Sequence, residues 1–231
     1  MNTKFAIYIY FTFILFTVIG TLTHEFGHFI VGRYLGYQTK IHYGFTSSNT
    51  GKFDDKLTQI YLKNKEAILA KEEFIEKKQY ESLLKVESKK HFFLTLGGPA
   101  INILIGSIGF VLILWIRKQY LYASTISHWI CLFLTFFWMR QPTNLVVWVL
   151  KKPINLNNAY GGDEIKLARY LNLPLGSIIW VTGILGLIIC GYVILKFIPK
   201  DKLSTFLVSG FLGGISGIIL WLKILGPIIL P

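Results

Sequence analysis

Apolar and polar positions alternate along this chain in long blocks. Apolar runs occupy residues 5–22, 92–116, 126–150, 177–197 and 203–225. At a helical rise of about 1.5 Å per residue, each is long enough to cross a hydrocarbon core of about 30 Å. The longest polar interval separates the first two runs and has its own pattern. YQTKIHYGF (37–45) alternates as a short strand does, and SSNTG (47–51) reads as a turn. Over 54–90, Tyr61, Ile68, Ile75 and Leu83 recur at roughly helical spacing among lysines and glutamates, which predicts one or two amphipathic helices. The expected fold is an all-α polytopic membrane protein with about five transmembrane helices, a small β-rich membrane-associated element and a charged helical cytoplasmic loop after the first helix. It is read as a single domain over 1–231. The core spans 5–172 with an insertion at about 37–91, and 177–231 supplies two accessory helices.

Composition agrees with this and adds sidedness. Of the 231 residues, 53% are hydrophobic and 16% charged, too apolar a balance for an ordinary soluble domain. The net charge of +12 does not call for nucleic acid as a partner; in a polytopic chain it reports loops that face anionic lipid. Sixteen Lys and Arg fall in the segments after the first and third apolar runs, against six on the opposite side. The positive-inside rule therefore puts those segments in the cytoplasm and the N-terminus outside. The first run is read as a retained span, since only Lys4 precedes it and no small-residue cleavage site follows. Cys131 and Cys190 both lie within apolar runs and read as small buried residues.

The chemistry gathers where the first run ends. His24, Glu25 and His28 form the pattern His-Glu-Phe-Gly-His. On a helix the two imidazoles are one turn apart on one face, the spacing that lets them share a tetrahedral Zn²⁺, and the glutamate beside them is placed as a general base toward an attacking water. His24 lies roughly 29 Å along the helix from Phe5, near the inner boundary of the bilayer. A catalytic zinc needs a third protein ligand. Past Glu87 the acidic residues are Asp163, Glu164 and Asp201, and only Asp163 and Glu164 return to the side of the histidines. Either carboxylate fits by position, and Asp163 also suits the start of the helix IKLARYL. His42, His91 and His128 fit interfacial positions better than ligation. Asn102, roughly 15 Å into the second span, reaches the level of the histidines; its amide suits substrate binding, oxyanion stabilisation or a bond across helices beside Gly97, Gly98 and Gly106. Arg140, Gln141 and Pro142 interrupt the third span and suggest a broken helix that lines a cavity.

These residues resemble the site-2 protease family of intramembrane zinc metalloproteases. HEFGH continuing through FIVGRYLG into IHYGF is similar to that family's first core segment. GGPAIN is similar to its second-helix Gly-Pro-x-x-Asn signature, and TNLVVWV followed by GGDE to its third-helix motif; here no proline follows Asn144, and Glu164 stands where a glycine is common. The resemblance covers about two-thirds of the chain. Abundant isoleucine, lysine and asparagine point to a bacterium and so to its plasma membrane; the resemblance implies an endopeptidase that cleaves a transmembrane segment of a membrane-protein substrate near the cytoplasmic face of the bilayer. His24, His28 and Asp163 would then hold zinc, Glu25 would activate water, and Asn102 would hold substrate. The competing readings are a non-catalytic relative that binds membrane proteins as a scaffold and a small transporter. Substrate identity and oligomeric state are not encoded in these patterns.

Overall fold

The computed structural model describes residues 3–49, 52–119, 126–151 and 162–231. The expected turn at Thr50 and Gly51, the link between the second and third spans at 120–125, and residues 152–161, which end on the first glycine of GGDE, lie outside the described residues. Among the described residues, five helices are long and apolar enough to cross a membrane, and the only sheet has two strands.

Helix α1 (Thr3–Tyr34) runs without a break through the apolar stretch and the histidine motif. It carries no proline, and the chain leaves it through Gly36 at φ 87°, the left-handed conformation that glycine adopts without a Cβ penalty. A hairpin follows, in which β1 (Gln38–Ile41) pairs antiparallel with β2 (Thr46–Asn49), Ile41 opposite Thr46. The reversal therefore falls at 42–45, and the serines expected to turn are a strand. His42 stacks on Phe45 at 4.3 Å, and the His42 N–H donates to the Phe45 carbonyl, which closes the loop ahead of the serines.

The charged segment folds as α2 (Lys52–Lys63) and α3 (Lys65–Ala70), with α3 ending at Lys71 in the left-handed region. Its remainder joins the second span in one helix, α4 (Lys77–Gln119). No glycine or proline occurs from Lys77 to Leu96, so nothing stops the helix before the apolar run begins. Lys63 pairs with Glu76, and Asn64 donates to the same carboxylate at 3.0 Å, closing α2 back on the start of α4.

The third span is interrupted as expected. Helix α5 (Ile126–Thr135) passes through a 3₁₀ turn (Phe136–Met139) into α6 (Arg140–Lys151). Pro142 has no N–H to return to the Trp138 carbonyl, so the regular ladder cannot be maintained there. Then come the short α7 (Asp163–Tyr170), α8 (Ser177–Phe197) and α9 (Lys200–Ile219), which continues as a π-helical turn (Leu220–Leu225) and α10 (Gly226–Ile229).

Small residues set the crossings. Gly27 and Gly97 bring α1 and α4 into backbone contact, a Cβ built on Gly97 lying 2.9 Å from the Gly27 carbonyl carbon. Gly210, Gly213 and Gly217 of α9 admit Phe13, Tyr10 and Thr17 of α1, and Tyr10 donates to Ser216 at 2.9 Å. The apolar core lies at the end of the bundle away from the histidines, where Phe13, Phe136 and Phe206 meet ring to ring around Leu132 and Val193. That leaves the other end for polar chemistry.

Candidate metal centre

His24 and His28 face inward from α1, His24 only 1% exposed. Asp163, the first residue of α7, brings its carboxylate to both. Asp163 Oδ2 is 3.0 Å from His24 Nε2 and 3.2 Å from His28 Nε2, and the two imidazole nitrogens are 3.2 Å apart. These three atoms form a nearly equilateral triangle. Tetrahedral zinc with ligand distances of about 2.0–2.1 Å holds its ligand atoms about 3.3 Å from one another, so the triangle has the size the ion needs. Among the described residues this is the one group of three or more His, Cys, Asp or Glu so arranged.

The outer contacts point the same way. His28 Nδ1 lies 2.7 Å from the Leu94 carbonyl, which only accepts, so Nδ1 carries the proton and Nε2 of the neutral ring carries a lone pair. That lone pair faces a second imidazole and a carboxylate, and such a cluster of acceptors calls for a cation in its midst. Asn102 is 1% exposed and sits behind His24, its Nδ2 3.3 Å from Nδ1, while its Oδ1 has no partner among the described residues. Turning the amide over would let Oδ1 accept from a protonated Nδ1 and free His24 Nε2 as a ligand. Asn102 thus contacts the ring from behind and is absent from the cavity lining, where a substrate contact was expected of it. Gly98 completes the surround: a Cβ there would stand 2.6 Å from His24 Nε2 and would also meet His28 Nε2.

The two candidate carboxylates separate clearly. Asp163 joins the histidines, whereas Glu164, 4% exposed, turns away and accepts from Asn144 Nδ2 at 2.9 Å. Gly162, not Asp163, is the N-cap of α7. As a ligand Asp163 would be anionic, and a cation held among the three groups would keep it so.

Glu25 is 4% exposed and lines the same cavity as the three ligand candidates. Thr46 of β2 holds it: Thr46 Oγ1 is 2.9 Å from the Glu25 carbonyl and 3.1 Å from Oε2. The cavity, about 960 Å³, opens between the hairpin, α4, α6 and α7. Thr46 and Ser48, two apart on β2 and so on one face of the strand, both line it. Arg140 lines it too, with a buried Nε that has no partner among the described residues. Of the other histidines, His42 holds the hairpin loop, bonding Ser47 at 3.0 Å and the Pro231 carbonyl at 2.5 Å, and His128 packs on Phe197 far from the centre. His91 stands at the cavity rim, 3.4 Å from Glu87.

Thr46 escaped the sequence reading because its role depends on the hairpin register. The hairpin is in turn fixed from a distant part of the chain: Trp221, in the π-helical turn, donates from Nε1 to the Tyr43 carbonyl at 2.7 Å, and the Tyr43 N–H donates to the Leu230 carbonyl at 2.9 Å. Comparison of the chain with protein-family models, with curated proteins and with solved structures finds no match.

Proposed function

We propose that this protein is an intramembrane zinc endopeptidase of the site-2 protease type. It is embedded with its N-terminus outside, in the plasma membrane of a bacterium, and hydrolyses a peptide bond within or beside a transmembrane segment of a membrane-protein substrate. The observation that carries this reading is the triangle of His24, His28 and Asp163, with Glu25 on the wall of the same cavity.

His24, His28 and Asp163 hold the metal. Zn²⁺ bound there supplies Lewis acidity toward the scissile carbonyl and toward water. Glu25 takes the proton from the attacking water and returns it to the leaving amine, with the Thr46 hydroxyl 3.1 Å from its carboxylate. Asn102 and the Leu94 carbonyl fix the two rings. Arg140 offers a guanidinium to charge that develops on the substrate carbonyl. Extended substrate backbone runs along the face of β2 that presents Thr46 and Ser48.

Glu25→Gln is the direct test. The variant is expected to bind zinc in the same ratio as the parent and to lose cleavage of a co-expressed membrane substrate by at least about 100-fold. Cleavage at the parent rate would remove the assignment. A scaffold would bind the substrate equally well after loss of His24 and His28.

A further inference from the structure

A second concavity lies on the outer face of α4, between α1 on one side and α7 and α8 on the other, with a volume of about 710 Å³. Its walls are almost wholly apolar, and Ile30, Leu104 and Leu171 on its rim are 46%, 60% and 47% exposed. Two features set it apart from an ordinary lipid-facing furrow. First, it abuts the metal cavity: Phe92, Glu164 and Leu167 line both. The Phe92 ring stacks on Tyr170 with centroids 4.5 Å apart, and Tyr170 belongs to the metal-cavity wall, so one aromatic pair stands at the junction.

Second, a buried amide is left incomplete there. Gln141 lines the groove and is 1% exposed, with Oε1 3.2 Å from Thr182 Oγ1 and Nε2 without a partner among the described residues. Thr182 has one hydroxyl proton and the Ile178 carbonyl is closer to it, at 2.8 Å. If that proton goes to Ile178, the amide donates to Thr182 and Oε1 is left over instead. In either orientation one end of the Gln141 amide is unsatisfied, which is unfavourable inside a bilayer.

Gln141 lies nine residues, roughly 13 Å, along the third span from Leu150. The ester and phosphate groups of a phospholipid do not reside that deep, and an acyl chain offers nothing to an amide. A peptide bond offers both N–H and C=O, and in an intact helix these are already used. They become available where a transmembrane helix has unwound, which is the condition under which its backbone becomes cleavable.

On the reading of the metal centre given above, we infer that this groove is the docking site for the transmembrane segment of the substrate. Gln141 takes one backbone group freed by local unwinding, and the segment passes into the metal cavity at the Phe92–Tyr170 pair. The groove thus selects for helices that break near mid-membrane.

The test uses the full chain carrying Glu25→Gln, reconstituted in phosphatidylcholine vesicles with zinc, and a photoreactive benzoylphenylalanine in place of Leu104 or, as a control, of the outward Phe211 of α9 (70% exposed). Two synthetic probes are supplied, a Leu/Ala transmembrane peptide of about 22 residues and the same peptide with a central Asn-Pro break. Capture of the broken peptide from position 104 is expected to exceed both its capture from position 211 and that of the unbroken peptide by about tenfold. Gln141→Leu is expected to erase the preference, and Gln141→Asn to retain part of it, with zinc content and melting temperature reporting that both variants are folded. Cross-links to lipid alone, equal capture from both positions, or a preference that survives Gln141→Leu would overturn the docking site. Wild-type protein separates this from the parent reading. If the peptide is captured but not cut, the groove stands and the protease assignment falls. If it is cut but not captured at 104, the groove falls.

Discussion

At the scale of single residues, the geometry turns on how each catalytic candidate is held. His28 has its tautomer set by one carbonyl, and the single hydroxyl of Thr46 lies against both the Glu25 carbonyl, at 2.9 Å, and the Glu25 carboxylate, at 3.1 Å. Thr46→Val keeps the shape of the side chain and removes that hydroxyl, so cleavage should fall about tenfold to a hundredfold, in line with a lost hydrogen bond to a charged group of about 1.5–3 kcal/mol. Thr46→Ser should recover most of the rate, and zinc content should not change in either variant. Equal rates for Val and Ser would show that Thr46 does not aim Glu25. His24, Glu25 and His28 were legible because helical spacing alone puts two rings on one face. The choice between Asp163 and Glu164 was not: neighbours on a helix point about 100° apart. Which one meets the histidines depends on how α7 packs, with Asn144 drawing Glu164 aside.

At the scale of elements, the close crossing of α1 and α4 decides whether the rings have room. Gly98 presents bare backbone to both Nε2 atoms. Gly98→Ala should therefore displace the imidazoles: bound zinc in purified protein should drop well below one equivalent, while stability falls by only about 1–3 kcal/mol, the usual range for overpacking. Full zinc occupancy with unchanged activity would contradict this account of α4. The apolar runs made the five long helices readable, and Pro142 made the break in the third readable. The hairpin was read with its reversal too late, since a serine-rich strand has no apolar alternation to announce it. Its strand character comes from pairing with β1 and from Trp221, whose partner Tyr43 lies 178 residues away in sequence. No local pattern encodes such a contact.

At the scale of the whole molecule, one ion would tie the first span to the segment after the third, since His24 and His28 belong to α1 and Asp163 to α7. Metal removal should therefore loosen the fold as well as stop cleavage. At metal concentrations about 100-fold above Kd, binding contributes about 2.7 kcal/mol. Dialysis against a chelator should then lower the melting temperature by about 5–10 °C, and zinc should restore it. The double variant His24→Ala, His28→Ala should melt at one temperature with or without chelator; a chelator-sensitive melt in that variant would place the ion elsewhere.

Helix α4 carries Leu94 and Gly98 at the metal centre and also extends as one continuous rod back to Lys77, roughly 22 Å beyond the start of its apolar run. Between Lys77 and Leu94 it has no joint at which a disturbance could dissipate. A twist applied at the charged end would turn the Leu94 carbonyl relative to His28, so this shaft couples the polar start of α4 mechanically to the His24, His28 and Asp163 group.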